Sequence, residues 1–443
     1  MQMTLPQEVQ YILQTLHNMQ YPTYVVGGCV RDVLRGKTPK DWDITTAAPP
    51  EVVMAAFSKT IPTGIRHGTV TVVLAGGQYE VTTFRVDGAY ENHRSPQSIV
   101  FTQDVTEDLS RRDFTMNAIA YHPETGLIDP LGGQEDIKKG IIRCVGDPVV
   151  RFDEDALRML RAVRFSAQTG FPLQKDILQA MKQLAGLMSK ISGERIRDEL
   201  LKTLLSDRPE TVIILQETGI LAVILPELDR CFSVLQNIKY HVYDVGRPSI
   251  EVMRHTPNNA VLRLAGLFHD LGKPDKKTTD EAGVDHFKGH DAQSVLLADG
   301  VLGRLRFDNR TKDDVLRLIR HHDRRIEPTK KSVRRAASAI GADLFLDLLA
   351  LQRADMRGQN PALLEERLAY LDTIESLWKE IVADGEALSV ADLAIGGNDL
   401  LQLGYQGKQI GRALSAALEY ILDHPEANTR PILLEWIQKQ FFV

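Results

Sequence analysis

VVGGCVRDVLRGKTPKDWDITT, residues 25–46, is the stretch from which the rest of the chain can be interpreted. It begins as an apolar strand, breaks at Gly27 and Gly28, continues as a short helix and a turn, and ends in a second strand. The second strand begins with Asp41 and Asp43, and because side chains alternate along a strand, we expect both carboxylates on one face. Two carboxylates this close repel each other unless a cation lies between them, and oxygen ligands of this kind suit Mg²⁺.

The glycine pair and the helix after it form a predicted anion site. Gly27 and Gly28 let backbone N–H groups approach a phosphate, and Arg31 lies on the first turn of the helix, where its guanidinium can reach the same group. A glycine pair alone is usually a simple turn, and an isolated Asp-x-Asp is usually part of a solvated loop. Together within one short stretch, a metal-holding carboxylate pair and a phosphate-binding turn favour nucleotidyl transfer.

The order G-G-x-x-R-D-x-L followed by D-W-D, starting at Gly27, resembles the head-domain signature of the DNA polymerase β-like nucleotidyltransferases. More narrowly, it resembles the class II tRNA CCA-adding enzymes and the bacterial poly(A) polymerases. The resemblance implies an α+β fold, in which a polymerase β-like head with a mixed sheet and helices precedes an all-α neck, an HD-like body and a tail. The expected boundaries are 1–148 for the head, 149–225 for the neck, 226–360 for the body and 361–443 for the tail.

Composition limits the classes of protein to which the chain can belong. A length of 443 residues exceeds one hydrophobic core, so several domains are expected. The three cysteines, Cys29, Cys144 and Cys231, are isolated, which argues against disulfides and zinc sites. Neither a membrane-spanning apolar run nor a signal peptide is apparent, so we expect a cytoplasmic protein with no membrane partner. Because the net charge is −6, binding to nucleic acid requires a local basic patch.

Two further features of the head are ambiguous in the sequence. Glu80, on a predicted hairpin strand, is either a third carboxylate of the metal site or a solvated strand residue. Residues 87–107 are polar and irregular, and the family resemblance places a flexible loop here that helps to switch from C to A addition. Members often carry adjacent basic residues before the proline of this loop, whereas this chain has a single arginine, Arg94.

The string RRDFTMNA, residues 111–118, closely matches the third motif of the resembled family. The plain interpretation of these polar residues is a capped, solvated element beside an apolar strand. The resemblance instead implies that Arg112 contacts the nucleotide phosphates and that Asp113 and Asn117 lie near the sugar.

A predicted helix that starts at Phe152 carries a row of charged side chains. Asp155 and Arg158 are i,i+3 neighbours, and the plain interpretation is a surface ion pair worth about 0.3 kcal/mol. The match to the family's E-D-x-x-R motif instead implies that this pair binds the nucleotide. Arg161 and Arg164 continue the row at a spacing of three, and Arg164 is the less well placed because the row winds half-way round the helix.

A second helical segment of the neck, residues 191–205, resembles the last neck motif of the family. Its Glu194 and Arg197 are expected to support the neck helix rather than to contact substrate. We therefore interpret this segment as structural.

Asp155 and Arg158 have the hydrogen-bonding groups needed to select two bases. Cytosine presents an amino group (N4) beside an acceptor (N3), and adenine presents N6 beside N1, so a carboxylate and a guanidinium fit both. Uracil and guanine place a carbonyl against the carboxylate, at a cost of about 1–3 kcal/mol. The pair therefore favours CTP and ATP without a template, as required to add C, C and A to a tRNA 3′ end. The expected cofactor is Mg²⁺, held by Asp41 and Asp43.

The HD-like body has the composition of a different module. Seven of the twelve histidines of the chain lie in it, and an apolar helix ends in His269 and Asp270. With the late Asp355, this pattern resembles the HD metal-dependent phosphohydrolase domain, which implies a metal site made of His269, Asp270 and Asp355. Alignment to that family puts Pro248 where the first ligand histidine is expected, so the metal site is predicted to be incomplete.

Three other features of the C-terminal half concern ligand binding. His241 and His255 are the histidines considered as replacements for the missing metal ligand. The basic run of residues 320–335 is either a solvated face or the patch that an acidic protein needs in order to bind tRNA. Residues 396–422 resemble the last segment of CCA-adding enzymes, which contacts the tRNA body.

Three alternatives stay open at this point. A specialist that adds only A, or only CC, shares all of these motifs. A poly(A) polymerase shares the head and neck motifs, but its distinguishing stretch differs from GIRHGTVTVV at residues 64–73. From another class, the chain is an HD phosphohydrolase with a degenerate head, although intact head motifs beside a gapped HD set argue against this.

Overall fold

The computed structural model describes residues 2–88, 90–91, 95–96, 98–235, 244–357 and 364–441. The chain folds as two units, Met1–Pro226 and Glu227–Val443. The finer division into head, neck, body and tail stays a prediction.

A mixed sheet forms the centre of the first unit. The strands of this unit are β1 (Thr23–Val26), β2 (Ile44–Thr46), β3 (Thr60–Gly64), β4 (Thr69–Leu74), β5 (Gly77–Thr83), β6 (Arg85–Asp87), β7 (Tyr90–Glu91), β8 (Ser95–Pro96), β9 (Ile99–Phe101), β10 (Ala120–His122) and β11 (Gly126–Ile128). Seven of them form one sheet in the order β11-β10-β1-β2-β5-β4-β3, in which β2 and β5 are parallel and the other neighbours antiparallel. Strands β6 and β9, and β7 and β8, pair as two small ribbons. The predicted α+β head with a mixed sheet is confirmed.

Helices cover the sheet and continue into the neck. The helices of the first unit are α1 (Gln7–Asn18), α2 (Gly28–Leu34), α3 (Pro50–Ala56), α4 (Val105–Ser110), α5 (Gly133–Lys139), α6 (Pro148–Glu154), α7 (Leu157–Thr169), α8 (Lys175–Leu184), α9 (Gly193–Leu204), α10 (Ile213–Glu217) and α11 (Ile220–Ile224). On α1, Val9, Ile12, Leu13 and Leu16 are buried at helical spacing, as predicted. They share a core cluster with the strand residues Val25, Ile44, Val70, Val72 and Val81.

Asp41 and Asp43 precede β2 rather than lie within it, so the prediction that strand alternation sets their common face was wrong. Backbone pairing fixes their position instead. The N–H of Val26 donates to the carbonyl of Asp43 at 3.0 Å, which ties the acidic segment to the end of β1.

The head also contains β3, a strand that was not predicted. Residues His93 and Arg94 of the proposed loop lie outside the described residues.

The predicted neck helix is broken at Asp155. Helix α6 ends at Glu154 and α7 begins at Leu157, while Asp155 is extended, with φ −138° and ψ 103°. Its carboxylate Oδ1 accepts a hydrogen bond from the N–H of Leu157 at 3.1 Å. A side chain that accepts from the first turn of a helix competes with the helical conformation of its own residue, so the prediction of one continuous helix was wrong here.

The second unit is helical. Its helices are α12 (Pro226–Cys231), α13 (Gly246–His255), α14 (Ala260–Phe268), α15 (Lys273–Lys276), α16 (His290–Arg304), α17 (Asn309–His321), α18 (Lys330–Ile340), α19 (Phe345–Arg357), α20 (Leu364–Ala383), α21 (Gly397–Gln402), α22 (Lys408–Asp423) and α23 (Arg430–Phe441). A pair of two-residue strands, β12 (Thr278–Thr279) and β13 (Asp285–His286), is an exception to the predicted all-α body. Among the described helices, none is long and apolar enough to cross a membrane.

Four of the seven basic residues in the run at residues 320–335 pair with acids of the second unit, and Lys330 is one of them, at 3.0 Å from Asp384. Lys331 and Arg335 lie 2.8 Å from the carboxylate of Asp423. Arg334 is buried and pairs with Glu386 at 2.6 Å. These contacts link α18 to the later helices; Arg334 is internal, whereas Lys331 stays exposed and Arg335 partly exposed, and the basic patch for tRNA stays a prediction.

Candidate active site

One pocket of about 980 Å³ lies in the first unit and collects the predicted site residues of the head and neck. All thirteen of them line it: Gly27, Gly28, Arg31, Asp41, Asp43, Glu80, Arg112, Asp113, Asn117, Asp155, Arg158, Arg161 and Arg164. They come from the β1–α2 turn, the segment before β2, strand β5, the region around Thr115–Asn117, and the neck. The sequence therefore predicted a set of side chains that the fold brings together.

Three carboxylates form the acidic side of the pocket. Because β2 and β5 are parallel with Ile44 beside Val81, the preceding residues, Asp43 and Glu80, lie side by side at the same end of the pair. Solvent reaches Asp43, yet the pocket walls desolvate its carboxylate, and this raises its pKa; the negative charges of Asp41 and Glu80 act in the same direction, against Arg112. Crowded carboxylates of this kind fit a divalent cation.

The turn at Gly27 brings backbone close to these charged groups. Gly27 has φ +81°, a conformation that favours glycine. A Cβ atom there would lie 3.2 Å from Nη1 of Arg112 and 4.0 Å from Oδ2 of Asp43. A side chain at Gly27 would therefore fill the space between the cation of Arg112 and the acidic side. Helix α2 is only seven residues long, so Arg31 and the turn, rather than a helix dipole, are the groups that suit a phosphate.

A hydrogen-bonded network connects the α2 side of the pocket to the neck. Arg31 donates from Nη1 to Oδ1 of Asn117 at 2.8 Å, and Asn117 donates from Nδ2 to Oδ1 of Asp113 at 3.1 Å. Asp113 in turn lies 2.6 Å from Nη2 of Arg161. Burial would raise the pKa of Asp113, but Arg161 and Asn117 outweigh burial and lower the pKa to about 2. Asp113 is thus a permanent anion that fixes Arg161.

Arg112 lines the pocket and has one donor without a partner among the described residues. Its Nη2 donates to the buried Asp108 at 3.3 Å. Its Nε is buried without a hydrogen-bond partner among the described residues. A buried guanidinium N–H without an acceptor costs free energy.

Asp155 and Arg158 each pair with another oppositely charged residue rather than with each other. Asp155 pairs with Arg195 of α9 at 2.9 Å. Arg158 donates to the Glu154 carboxylate and, at 3.0 Å, to the carbonyl of Arg151. Both side chains are thereby fixed on the pocket wall.

Arg164 is held by an acid of the second neck segment. Its Nη1 lies 3.0 Å from Oε1 of Glu199, and both residues are buried. Burial, followed by the nearby charge of Arg161, lowers the pKa of Arg164 to about 10, while Glu199 opposes this shift. No role was predicted for Arg195 or Glu199 from the sequence, although their i,i+4 spacing places both on one face of α9.

The pocket carries a local excess of positive charge in an acidic chain. Its lining contains twelve basic and seven acidic side chains, in a chain whose net charge is −6. Lys37, Lys40 and Lys202, which the sequence analysis did not assign, belong to this lining. A polyanionic ligand is therefore attracted to this part of the surface.

A second cluster of metal-ligating side chains lies in the second unit. The ligand atoms of His269, Asp270 and His322 lie within 4.8 Å of one another. His290 adds an imidazole whose Nε2 is 3.4 Å from Oδ1 of Asp270, and Asp355 Oδ1 is 3.9 Å from His269 Nε2. The three residues predicted for the HD site are thus together, and His290 and His322, which were not assigned to it, join them.

The three imidazoles are oriented in the same way. Their Nδ1 atoms lie 2.9, 2.9 and 2.7 Å from backbone carbonyl oxygens, in His269, His290 and His322. A proton on Nδ1 that bonds a carbonyl leaves the lone pair on Nε2, as is typical of metal-bound histidines. The Nε2 atoms of His290 and His322 are only 3.2 Å apart, so a cation or a shared proton is needed between them.

Other features of the second unit restrict metal binding by this cluster. Lys273 lies 2.7 Å from Oδ2 of Asp270 and competes with a metal for that carboxylate. Pro248 lies in the first turn of α13 and has no ligand atom in its side chain. His255, at the other end of α13, contacts the carbonyl of Glu251 at 2.8 Å. The other candidate for the missing ligand, His241, lies outside the described residues.

Known protein families match three successive parts of the chain. Residues 23–143 match the poly A polymerase head domain, and residues 170–232 match the probable RNA and SrmB-binding site of polymerase A. Residues 231–371 match the HD domain. These matches follow the order of head, neck and body.

Individual relatives share both sequence and structure with the chain. The CCA-adding enzyme of Geobacillus thermodenitrificans is 51% identical over 223 residues, 50% of this chain and 55% of that protein. The CCA-adding enzyme of Oceanobacillus iheyensis is 42% identical over 260 residues, 59% of this chain and 62% of that protein. In these alignments the chain spans little more than half of its curated relatives. The solved structure of the Bacillus stearothermophilus CCA-adding enzyme in complex with CTP is similar at a TM-score of 0.77 and 31% identity, covering 99% of this chain and 98% of that one.

Proposed function

Since the chain belongs to the family of CCA-adding enzymes, we propose that it adds C, C and A to the 3′ end of tRNA, using CTP and ATP without a nucleic-acid template. The single observation that carries this proposal is the pocket in which Asp155 and Arg158 share a wall with the acidic segment at Asp41 and Asp43. The cytoplasm is the proposed location. The cysteines agree with this, because all three are free and buried.

The neck residues supply base selection in this proposal. Asp155 accepts from the amino group of cytosine or adenine, and Arg158 donates to the adjacent ring nitrogen. Uracil and guanine leave a carbonyl oxygen against a carboxylate, and such an unpaired contact costs about 1–3 kcal/mol. Two bases are accepted and two rejected by the protein alone.

The head residues supply binding and orientation of the reacting groups. Arg112 and Arg31, which both line the pocket, bind phosphates of the incoming nucleotide. Asp41, Asp43 and Glu80 form the site for divalent metal, for which we propose Mg²⁺. When bound, Mg²⁺ activates the 3′ hydroxyl and stabilises the charge on the leaving pyrophosphate.

Purified protein is expected to extend a tRNA that ends at the discriminator base by C, C and A, and then to stop. The test offers tRNAs ending in no added nucleotide, in C and in CC, with each of the four nucleotides singly. Addition of A alone, and only to the CC-ended tRNA, would show an A-adding specialist. Repeated addition of A to any of the three would show a poly(A) polymerase.

Asp155→Asn is expected to relax base selection. An amide donates as well as accepts, so the carbonyl of uracil or guanine is no longer rejected, and the preference for CTP and ATP falls by about 10- to 100-fold. The measurement is kcat/KM for the four nucleotides. Arg158→Ala should instead depress C and A addition together, because both bases use its donor. If Asp155→Asn lowers kcat/KM equally for all four nucleotides and leaves their ratios unchanged, the role of Asp155 and Arg158 is structural.

We also propose that the histidine cluster of the second unit binds a divalent metal ion. His269, Asp270, His290 and His322 provide three Nε2 lone pairs around one buried carboxylate. With Pro248 in place of a further ligand and Lys273 on Asp270, we expect weak binding. Phosphatase and cyclic phosphodiesterase activities are expected to be low.

His322→Ala is expected to weaken Mn²⁺ or Zn²⁺ binding by more than about 10-fold, since a direct ligand counts for at least as much as a residue that supports one. Isothermal titration of the intact chain measures this, with His255→Ala as the matched control from α13. Equal affinities in wild type and His322→Ala would remove the cluster as a metal site. Strong hydrolysis in wild type that is lost in His269→Ala would refute the expectation of low activity.

A further inference from the structure

We propose that Arg195 is the residue that positions Asp155 for base reading, and that the specificity of the pocket depends on α9 as well as on the neck helix. The proposal rests on the proposed function, in which Asp155 accepts from the amino group of cytosine or adenine. It assigns a role in specificity to a segment that sequence analysis interpreted as structural.

Asp155 is held at both of its carboxylate oxygens. Oδ2 accepts from Nη2 of Arg195 at 2.9 Å, and Oδ1 accepts from the N–H of Leu157 at 3.1 Å. Each carboxylate oxygen has a second lone pair, so the group can still accept from a base while both contacts remain. The two contacts therefore fix the direction of the acceptor without consuming it.

This orientation would otherwise be poorly defined. Asp155 is extended and lies between two helices, so the regular geometry of a helix does not set the direction of its side chain. Without Arg195, the contact to Leu157 alone allows the carboxylate to rotate about that hydrogen bond. A rotated carboxylate no longer rejects a base by the position of its oxygens, since discrimination requires an acceptor fixed opposite the amino group.

Arg195 itself stands on a rigid support. Ile196 and Leu200 of α9 are buried, and Glu199, one turn after Arg195, pairs with Arg164 of α7. In the described part of the chain, Asp155 is the carboxylate within ion-pair distance of Arg195, and the Nη1 atom of Arg195 is buried without a partner. The guanidinium of Arg195 thus pairs with Asp155, and the helix that carries it, α9, is held to α7 by the ion pair between Glu199 and Arg164.

The first experiment compares Arg195→Ala, Arg195→Lys and the matched control Arg197→Ala from the same helix. We expect Arg195→Ala to lower kcat/KM for CTP and ATP by about 10- to 100-fold, as for misplacement of a positioned group, with a smaller loss for UTP and GTP. Arg195→Lys should restore part of the selectivity, because an ammonium group keeps the charge beside Asp155. Arg197 lies next to Asp198 at 2.9 Å and outside the pocket lining, so its replacement should leave the four ratios unchanged.

The second experiment is a double-mutant cycle, which separates positioning from general support of the fold. In an Asp155→Ala background, Arg195→Ala should have little further effect on the four ratios, since its target is absent. Effects that multiply in the double variant, or equal losses for all four nucleotides in Arg195→Ala, would overturn the proposal. If Arg195→Ala does not fold, Arg195→Lys and Arg195→Gln are compared instead. Because only the lysine keeps a cation beside Asp155, Arg195→Lys should retain more of the selectivity among the four nucleotides than Arg195→Gln. A wild-type protein that adds neither C nor A refutes the proposed function itself, and the role of Arg195 with it.

Discussion

Replacing Asp43 by alanine, or Asp41 by alanine, is expected to abolish transfer of both C and A, with kcat falling by about a thousandfold or more. The carboxylates lie in the acidic side of the pocket, and a cation site that loses one of them no longer neutralises the charge that develops on the leaving group. The loss should be equal for CTP and ATP, because the head does not read the base. Single-turnover rates with a CC-ended tRNA and ATP, and with a C-ended tRNA and CTP, measure the effect.

The fold should survive these substitutions. Burial and the charges of Asp41 and Glu80 raise the pKa of Asp43, so its ionised form is disfavoured and its removal relieves repulsion. We expect an unchanged or slightly higher Tm for Asp43→Ala, and full activity in the control Asp198→Ala on the surface of α9. Substantial transfer by the Asp41→Ala, Asp43→Ala double variant would place the reaction outside this pocket.

Glu199→Ala is expected to lower the free energy of unfolding of the first unit by about 3–5 kcal/mol. The substitution leaves the guanidinium of Arg164 buried without its carboxylate, and burial already lowers the pKa of that group to about 10. Denaturant unfolding followed by tryptophan fluorescence measures the change. A cost of this size is a large part of the stability of an ordinary domain.

Two controls test whether the buried pair is the cause. Asp198→Ala, on the neighbouring position, removes a partly exposed ion pair with Arg197 and should cost less than about 1 kcal/mol. The double variant Arg164→Met with Glu199→Leu replaces both charges by apolar groups and should recover most of the stability. If Glu199→Ala and Asp198→Ala destabilise the protein equally, the 3.0 Å contact between Arg164 and Glu199 is not the origin of the effect.

The sequence allowed prediction of those parts of the site that belong to local patterns. Gly27 and Asp43 lie within one short segment whose alternation of strand, turn and helix follows from apolar periodicity and glycine, and the fold has these elements. The helical spacing of Val9, Ile12 and Leu16 likewise predicts the buried face of α1. Local periodicity carries such information because each residue constrains its neighbours along the chain.

Contacts between distant segments could not be predicted in this way. Arg195 meets Asp155 across 40 positions of sequence, and Glu199 meets Arg164 across 35. A single sequence shows which residues carry charge but not which opposite charges meet after folding. The same reason explains why Asp155 was interpreted as the neighbour of Arg158 and not of Arg195. The partner of Arg158, Glu154, is by contrast only four residues away.

The buried contacts of Arg334 also restrict how this chain can be shortened. Nε of Arg334 donates to the carbonyl of Leu422 at 2.7 Å, and Nη1 donates to Glu386 at 2.6 Å. Truncation before Glu386 would remove both of these partners of the Arg334 guanidinium. Residues that follow the HD-like helices are therefore not a detachable appendage, and deleting them would also destabilise the part of the chain that is left.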